Sequence, residues 1–247
     1  VFNGNNQPAP ITNDASLGDD PWYIGGPWRA VRGDSIEQGL QAVTANKEGS
    51  IEAMASLQAE RRSRTAEMFL DHFLAAIVRA EALSANPGGS PEEVRLVALY
   101  QANKAAFDEI YQRLSAWQMA GLHTDSGVDT FYNTSTEQSR QNAVATMIFN
   151  AWLPRVMQST FDDETLEYYS SSSVAQMRTL KRMLDGRGDN ATQLASYNEA
   201  TGESAFFDVL STAEIEQSDE VILAALEGAV MFLSSPGDGE GSGGFGT

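Results

Sequence analysis

The sequence predicts a mainly α-helical segment with a short strand and a long loop at its N-terminus. From residue 35 to residue 234, apolar side chains recur at spacings of three and four, which is typical of helices that bury one face. The first 34 residues contain four prolines instead, and proline interrupts a helix because it lacks the amide hydrogen. Residues 235–247 are rich in glycine and are predicted to form a loop or linker.

The first 34 residues are polar and irregular. Val1 and Phe2 have the character of a strand end, and the residues after them are rich in Asn, Asp, Pro and Gly. The aromatic side chains of Trp22, Tyr23 and Trp28 are expected to anchor this loop. A loop of such length without secondary structure of its own is uncommon in compact domains and often carries function.

Capping signals predict where the first helices begin. Asp34 and Glu37 have the spacing of a capping box, so a helix is predicted to begin with Asp34 as its N-cap. A second short helix is predicted from Ser50 to about Arg61, because apolar residues follow Ser50 at intervals of three.

The middle of the chain has the clearest helix signals. Residues 65–83 carry two adjacent rows of apolar side chains, which predicts a well-buried helix. A new helix is then predicted to begin with Ser90 as its N-cap, Pro91 at its first position and Glu93 at its third. That helix is predicted to end near Gly121.

The C-terminal half alternates between helices and polar loops. A helix is predicted from about Glu137, with a kink or an end at Pro154, because proline removes one helical hydrogen bond. The remaining predicted elements are the helices Ser173–Leu184 and Ser218–Leu233 and the irregular polar segments 121–136 and 185–203.

Composition excludes several classes of function. The 247 residues include 34 acidic and 16 basic side chains, and the net charge of −18 argues against nucleic-acid binding. The absence of cysteine excludes disulfides, thiolate nucleophiles and cysteine-ligated zinc, and two histidines cannot form a three-histidine metal site. No apolar run approaches the roughly 18 residues that a membrane span requires. Acidic runs such as residues 162–164 are expected to be solvated surface.

The two ends of the sequence support a further expectation. The chain begins with Val1, its first methionine is Met54, and residues 237–247 have the composition of a flexible linker. We therefore expect an internal piece of a longer or processed polypeptide.

Several residues resemble catalytic or binding motifs, but their positions in the sequence favour a structural role. His123, Asp125 and Ser126 supply the side-chain types of a catalytic triad, but they share one polar loop, where a solvated histidine is expected. His72 lies on an apolar helix and is expected to be a partly buried structural histidine. The tripeptide that starts at Arg187 matches an integrin-binding motif, although three-residue matches often arise by chance.

The N-terminal loop offers a different kind of chemistry. Asparagine carries an amide donor without a charge, and a rigidly held amide stabilises the oxyanion of an acyl-transfer intermediate. An arginine beside it fixes the orientation of that amide through its several donors. The segments that supply such side chains are Asn3–Pro8 and Gly25–Arg32. The alternative is that the clustered asparagines only form turns.

Four segments also match a known pattern in their order and approximate spacing. Residues 3–8 resemble an Asn-x-Asn-Asn-x-Pro segment, and residues 28–32 resemble a Tyr-Arg-Ala-x-Arg segment that opens a helix. Residues 50–58 resemble a Ser-x-Glu-Asp block followed by Leu-Gln-x-Asp, and residues 114–117 resemble the Leu-x-x-Trp end of a later helix. Together these segments resemble the penicillin acylase (penicillin amidase) family.

This resemblance implies that the chain is part of a larger α+β N-terminal-nucleophile hydrolase with an αββα core. In such enzymes a precursor is cleaved, and the N-terminal serine of the new chain attacks an amide carbonyl with its own amino group as base. The oxyanion-hole asparagine of the family corresponds to Asn5 in this sequence. The supporting arginine corresponds to Arg29, with Arg32 as the competing alignment. The serine and the core sheets are expected outside these residues.

The implied activity is hydrolysis of a linear amide, such as a β-lactam side chain or an acyl-homoserine lactone. The chemistry needs no cofactor, although many family members bind a structural calcium ion, for which Asp20 is the nearest candidate. The implied partners are the other segments of the same precursor and a small amide substrate, and the implied location is periplasmic or extracellular. Gly33, Glu60 and Gln118 depart from the family pattern, so the substrate stays open.

A different class of function also remains open at this point. The same helices are compatible with a non-enzymatic α-helical module that binds a partner or serves as a scaffold. Such a module would be independently stable and would have a helical groove, whereas a segment removed from its sheet would expose apolar surface.

Overall fold

The computed structural model describes residues 30–45, 49–86, 88–131, 133–164, 173–187 and 194–235. Within them the chain forms seven α-helices and a two-stranded sheet, which confirms the predicted mainly helical class. The chain divides into two compact units, residues 1–65 and 66–247. The elements are α1 (Ala30–Ala45), α2 (Ile51–Gln58), α3 (Arg64–Ala85), α4 (Pro91–Met119), α5 (Glu137–Phe161), α6 (Ser173–Asp185), β1 (Tyr197–Asn198), β2 (Glu203–Ser204) and α7 (Ser218–Ser234).

The first unit contains a pair of short helices in close contact. α2 begins as predicted after Ser50, whose hydroxyl accepts a hydrogen bond from the third helical amide at 3.1 Å. At Gly39 of α1, a β-carbon would lie 2.1 Å from Cδ1 of Leu57 in α2, so a side chain there would require the Leu57 side chain to move. Arg64 donates to Oε1 of Gln38 at 2.6 Å and joins the end of this unit to α1.

The start of α1 differs from the prediction. The helix begins at Ala30, so Asp34 lies inside it and the prediction of an N-cap at Asp34 was wrong. Alanine, valine and arginine all tolerate helical backbone, and Gly33 costs only about 1 kcal/mol relative to alanine. The predicted strand end at Val1 and Phe2 lies outside the described residues.

The central helices α3 and α4 agree closely with the prediction. α3 extends the predicted helix by one or two residues at each end. α4 begins with the predicted capping box: the hydroxyl of Ser90 accepts from the amide of Glu93 at 3.4 Å, and the carboxylate of Glu93 accepts from the amide of Ser90 at 3.2 Å. Pro91 is the first helical residue, where its missing amide hydrogen costs nothing.

The C-terminus of α4 is closed by a Schellman motif. Gly121, at a φ of 90°, donates to the carbonyl of Gln118 at 3.1 Å, and Leu122 donates to the carbonyl of Trp117 at 3.0 Å. Leu122 itself has a φ of 59° and is only 3% exposed. The predicted end of this helix near Gly121 is thus confirmed.

α5 packs against α4, α6 and α7 and continues through a proline. The prediction allowed a kink or an end at Pro154, and an end there was wrong, because the helix continues to Phe161. A proline in a helix interior costs about 3 kcal/mol, because it removes one hydrogen bond and its ring clashes with the carbonyl four residues earlier. Buried side chains on both sides of the proline, among them Trp152 and Val156, offset that cost by packing.

An aromatic cluster joins α3, α4 and α5. The ring centroids of Phe73 and Trp152 are 4.8 Å apart, those of Phe73 and Phe149 are 6.2 Å apart, and those of Trp117 and Phe149 are 6.0 Å apart. All four rings are at most 1% exposed. The indole of Trp152 also donates to the carbonyl of Ile222 at 2.8 Å, which ties α5 to α7.

A small hairpin lies where the sequence predicted only a polar loop. β1 and β2 pair antiparallel, with Tyr197 opposite Ser204, and the prediction of a wholly irregular segment over residues 185–203 was wrong there. Strands of two residues are too short to show an alternating pattern in the sequence. The hairpin leads into a 3₁₀ turn that buries Phe207 completely.

We expect substitution of Trp152 to show how much the aromatic cluster contributes to stability. Trp152→Ala should lower the free energy of unfolding by about 3–5 kcal/mol, because it opens a cavity at the centre of the cluster. Trp152→Phe should cost less, about 1–3 kcal/mol, because it keeps most of the ring and removes the indole donor. Urea unfolding followed by far-UV circular dichroism measures both values.

Met119→Ala is the matched control, because Met119 is 84% exposed at the end of α4. Its effect should stay within about 0.5 kcal/mol. Equal effects of Trp152→Phe and Met119→Ala would contradict the assigned role of the indole.

Candidate functional site

The predicted catalytic residues belong to the N-terminal part of the chain. Asn5 and Arg29 lie outside the described residues, and so does the calcium candidate Asp20. Arg32 lies in the first turn of α1. The pairing of α1 with α2 at Gly39 therefore positions the backbone that carries one of the two candidate arginines.

A shallow depression of about 300 Å³ lies at the N-terminus of α2 in this first unit. None of its described lining residues has an ionisable side chain, and Ile51 on its rim is 85% exposed. The described lining therefore supplies neither an acid nor a base for catalysis. Its lining residues are Gly49, Ser50, Ile51, Met54, Ala55 and Gln58.

In the second unit, polar groups converge around His72 on α3. Nε2 of His72 lies 2.9 Å from Oδ1 of Asp185, the last residue of α6. Lys181, one turn earlier on α6, pairs with the same carboxylate. On the other side of the ring, Nη2 of Arg187 lies 3.5 Å from Nδ1 of His72.

Arg187 then connects this histidine to the N-terminus of α7. Its Nη1 donates to the hydroxyl of Ser218 and to Oδ1 of Asp219, both at 2.9 Å. We call these three residues the Arg187 clamp. Both charged side chains of the clamp are only 17% exposed, and Arg79 of α3 pairs with the same Asp219.

A carboxylate completes the N-terminus of α7. The side chain of Glu203 in β2 accepts from the amide of Ser218 at 2.8 Å and from its hydroxyl at 2.9 Å. Helix N-termini favour negative charge because their first amides lack partners within the helix. The N-cap residue Gln217 makes no capping hydrogen bond through its side chain. Glu203 of the hairpin supplies the cap instead.

Burial is the main influence on the protonation of His72. It lowers the pKa of His72, and the positive charges of Arg187 and Lys181 lower it further, whereas Asp185 acts in the opposite direction. The ring is 20% exposed, and both of its nitrogens face protein groups. The structure thus agrees with the predicted partly buried structural histidine, and it leaves no ring nitrogen directed at a substrate.

The loop that contains His123 has structural uses for its polar groups. The indole of Trp117 donates to the carbonyl of His123 at 2.8 Å, and the buried amide of Asn142 donates to Asp125 at 2.8 Å. Ser126 donates to the carbonyl of Val128 at 3.4 Å. These contacts favour the structural interpretation of the loop over a catalytic triad.

The integrin-like motif also has a structural role at its first residue. Arg187 directs its guanidinium to Ser218 and Asp219 and is mostly buried, whereas an adhesive motif must present its arginine to a partner. The other two residues of the motif, at 188 and 189, lie outside the described residues.

The acidic run 162–164 is less solvated than the sequence predicted. Oδ2 of Asp163 accepts from the amide of Leu210 at 2.7 Å, while its Oδ1 is buried and has no hydrogen-bond partner among the described residues. Burial, together with the charges of Asp163 and Asp208, raises the pKa of Glu164. Nevertheless, the described part of the chain contains no group of three or more histidine, aspartate or glutamate side chains arranged to hold a metal ion.

Comparison with known families decides the relationship of this chain. The family model for penicillin amidase matches residues 1–244. The chain belongs to the penicillin amidase family. Neither the curated proteins nor the solved structures that were compared with it include a match.

Membership of the penicillin amidase family confirms the resemblance found in the motifs. It places the chain among relatives of the N-terminal-nucleophile amidohydrolases. The roles of Asn5, Arg29 and Arg32 stay predictions. Within the described ranges, no helix of this penicillin amidase family member is long and apolar enough to cross a membrane.

The sequence did not reveal the charged groups around His72 and α7. His72 and Asp185 are 113 residues apart, and Arg79 and Asp219 are 140 apart, so no local spacing connects them. The one available signal was a basic residue, Arg187, just after a helix end in an otherwise acidic chain. That signal suggests a local interaction with the helix end and does not identify a partner on α7.

We expect the Arg187 clamp to contribute measurably to stability. Arg187→Gln should lower the free energy of unfolding by about 2–3 kcal/mol, because it leaves a mostly buried carboxylate with fewer charged hydrogen bonds. The matched control is Arg113→Gln, which breaks an exposed pair one turn apart on α4. That control should change stability by no more than about 0.5 kcal/mol. Thermal and urea unfolding give both values, and equal effects would contradict this role.

Proposed function

We propose that this chain supplies the oxyanion hole of an amidohydrolase of the penicillin amidase type. The family match supports the proposal because it extends over residues 1–244 and includes the segments with Asn5, Arg29 and Arg32. The same match favours an enzyme over the non-enzymatic helical module. The substrate class proposed is a linear amide of a small molecule.

In the proposed reaction, the N-terminal serine of the catalytic chain, expected outside these residues, attacks the amide carbonyl. The carbonyl oxygen then becomes an oxyanion, and the side-chain amide of Asn5 donates a hydrogen bond to it. This hydrogen bond strengthens as negative charge develops on the carbonyl oxygen. The neutral amide donates it without any proton transfer of its own. The amino group that took the serine proton gives it to the leaving nitrogen, and collapse of the intermediate then expels the amine and leaves an acyl-serine, which water hydrolyses.

The proposed arginine acts by orientation. Its guanidinium presents several donors in a rigid plane, which suits it to fix the carbonyl end of the Asn5 side chain while the NH₂ group faces the oxyanion. Arg29 is the preferred residue, and Arg32 is the alternative. A position in the first turn of α1 gives Arg32 a regular backbone, and the contact of α1 with α2 at Gly39 restrains that backbone.

The remaining parts of the proposal rest on family resemblance. We propose a periplasmic or extracellular location and assembly with the other segments of the same precursor. A structural calcium ion near Asp20 belongs to the same group of proposals, and no step of the chemistry depends on it. The described residues contain no cluster suited to hold that ion.

Replacement of the proposed oxyanion donor should impair the chemical step. In the intact processed enzyme, Asn5→Ala should lower kcat by on the order of 10²–10³ and leave KM nearly unchanged, because the hydrogen bond forms mainly in the transition state. Hydrolysis of chromogenic anilides with aryl-acetyl and aliphatic acyl groups measures this effect. Asn13→Ala, in the same polar stretch but outside the motif, is the control and should retain near-normal kcat.

Two results would contradict the proposal. An Asn5→Ala enzyme with unchanged kcat would remove Asn5 from the oxyanion hole. Hydrolysis of the anilides by these 247 residues alone would show that the nucleophile is not where we expect it.

Single substitutions should also distinguish the two candidate arginines. Arg29→Ala should lower kcat by on the order of 10²-fold through misplacement of the Asn5 amide, with little change in KM or in melting temperature. Arg32→Ala serves as the comparison and should stay within a fewfold of the parent enzyme. The reverse pattern would assign the supporting role to Arg32.

A further inference from the structure

The surroundings of His72 define the state of its ring. A guanidinium has only hydrogen-bond donors, so the lone pair of Nδ1 must face Nη2 of Arg187 at 3.5 Å. The hydrogen of the neutral ring then resides on Nε2, which lies 2.9 Å from Oδ1 of Asp185. Neutral His72 therefore satisfies both neighbours at once, as a donor to Asp185 and an acceptor from Arg187.

Protonation of His72 would remove one of these two interactions. The second proton enters at Nδ1, where it faces the N–H groups of Arg187, so that a donor meets a donor and a positive charge meets a positive charge. The guanidinium of Arg187 is the partner that must move. Because the same guanidinium holds Ser218 and Asp219, its movement also removes hydrogen bonds from the first turn of α7.

The other charged groups near His72 oppose one another. Asp185 favours the charged ring, but Lys181 already shares that carboxylate. The like charges of Lys181 and Arg187 oppose a third positive charge between them. Farther along α3, Arg79 stays paired with Asp219, so the carboxylate keeps one cation when Arg187 leaves. On the side toward α4, the neutral amide of Gln118 donates to the carboxylate of Asp71, the residue before His72.

We propose that His72 is a pH-sensitive latch on the Arg187 clamp, closed when the ring is neutral and opened by its protonation. The open state releases Arg187 from Ser218 and Asp219 and loosens the first turn of α7 together with residues 186 and 187, which directly follow α6. This inference concerns the second unit and does not rest on the proposed amidase function.

The direction of the pH dependence follows from the surroundings of the ring. The pKa of His72 in the folded protein lies below its ordinary value of 6.5. In the unfolded chain the ring gains a proton as the pH falls through about 6.5, while in the closed fold it stays neutral to lower pH. The unfolded state then binds more protons, so the contribution of His72 to stability is present above pH 6.5 and is lost as the pH falls toward the folded-state pKa.

Two measurements on the intact protein test the latch between pH 5 and pH 8. NMR signals of the His72 ring give its titration midpoint and its neutral tautomer, which should carry the hydrogen on Nε2. Hydrogen exchange, with times scaled for the intrinsic pH dependence, follows amides of residues 183–187 and 216–222. We expect protection of these amides to fall on the order of tenfold as the pH falls and His72 gains its proton.

Three variants separate the latch from general acid loosening. In His72→Gln, protection should be independent of pH over this interval, because no ring titrates at this position. His123→Gln, which removes the other histidine, should retain the transition of the parent protein. Asp185→Asn should move the transition to lower pH, because it removes the carboxylate that favours the charged ring.

Several outcomes would overturn the proposal. Protection that does not change with pH in the parent protein would show that protonation leaves the clamp closed. An unchanged transition in His72→Gln would assign it to another group. If His72→Gln does not fold, the test rests on Asp185→Asn. A loss of amide protection in that variant at the same pH as in the parent protein would overturn the latch.

Discussion

The indole of Trp152 is the point on which the second unit depends. Its ring packs against Phe73 of α3, and its N–H reaches the carbonyl of Ile222 in α7, so one side chain on α5 fixes the positions of two other helices. This arrangement explains why α5 continues past Pro154. Ending the helix there would avoid the cost of an interior proline but would remove Val156 and Phe161 from the core, and burial of such side chains is worth about 1.5–3 kcal/mol each.

The polar side of the same unit is organised around the N-terminus of α7. A helix start concentrates amide donors and positive potential, so the carboxylates of Glu203 and Asp219 are favourable there. Arg187, which is 17% exposed, and the more exposed Arg79 then balance those carboxylates. Arg79 comes from α3 and Arg187 follows α6, so ion pairs connect α3 and the end of α6 to the N-terminus of α7. By contrast, α5 and α7 are joined mainly by helix packing.

Local signals in the sequence predicted most of the helices, and features that depend on distant contacts were the ones missed. Ser90, Pro91 and Glu93 act within one turn, so their pattern predicted the start of α4 correctly. Asp34 fitted the same kind of pattern but lies inside α1, because a capping pattern does not show whether the preceding residues are also helical. The β1–β2 hairpin was missed because two-residue strands have too few positions to show a period.

In the candidate site, too, the sequence predicted residues that belong to local motifs and missed contacts between distant residues. Motif order identified the family and suggested Asn5, Arg29 and Arg32, because short segments with specific chemistry keep their spacing within a chain. The sequence could not show that Arg187 lies against His72 and α7, since those groups are 115 and 32 residues from it along the chain. Only a folded arrangement of α3, α6 and α7 brings these charges together.

The turn after α4 has a consequence for attempts to redesign this protein. Leu122 adopts a left-handed backbone that costs a leucine about 1–2 kcal/mol, yet its side chain is 97% buried. Glycine would relieve the backbone cost but would empty a space whose filling is worth about 2–5 kcal/mol. A substitution chosen from backbone preference alone would therefore weaken the protein at a position where conformational statistics recommend the change.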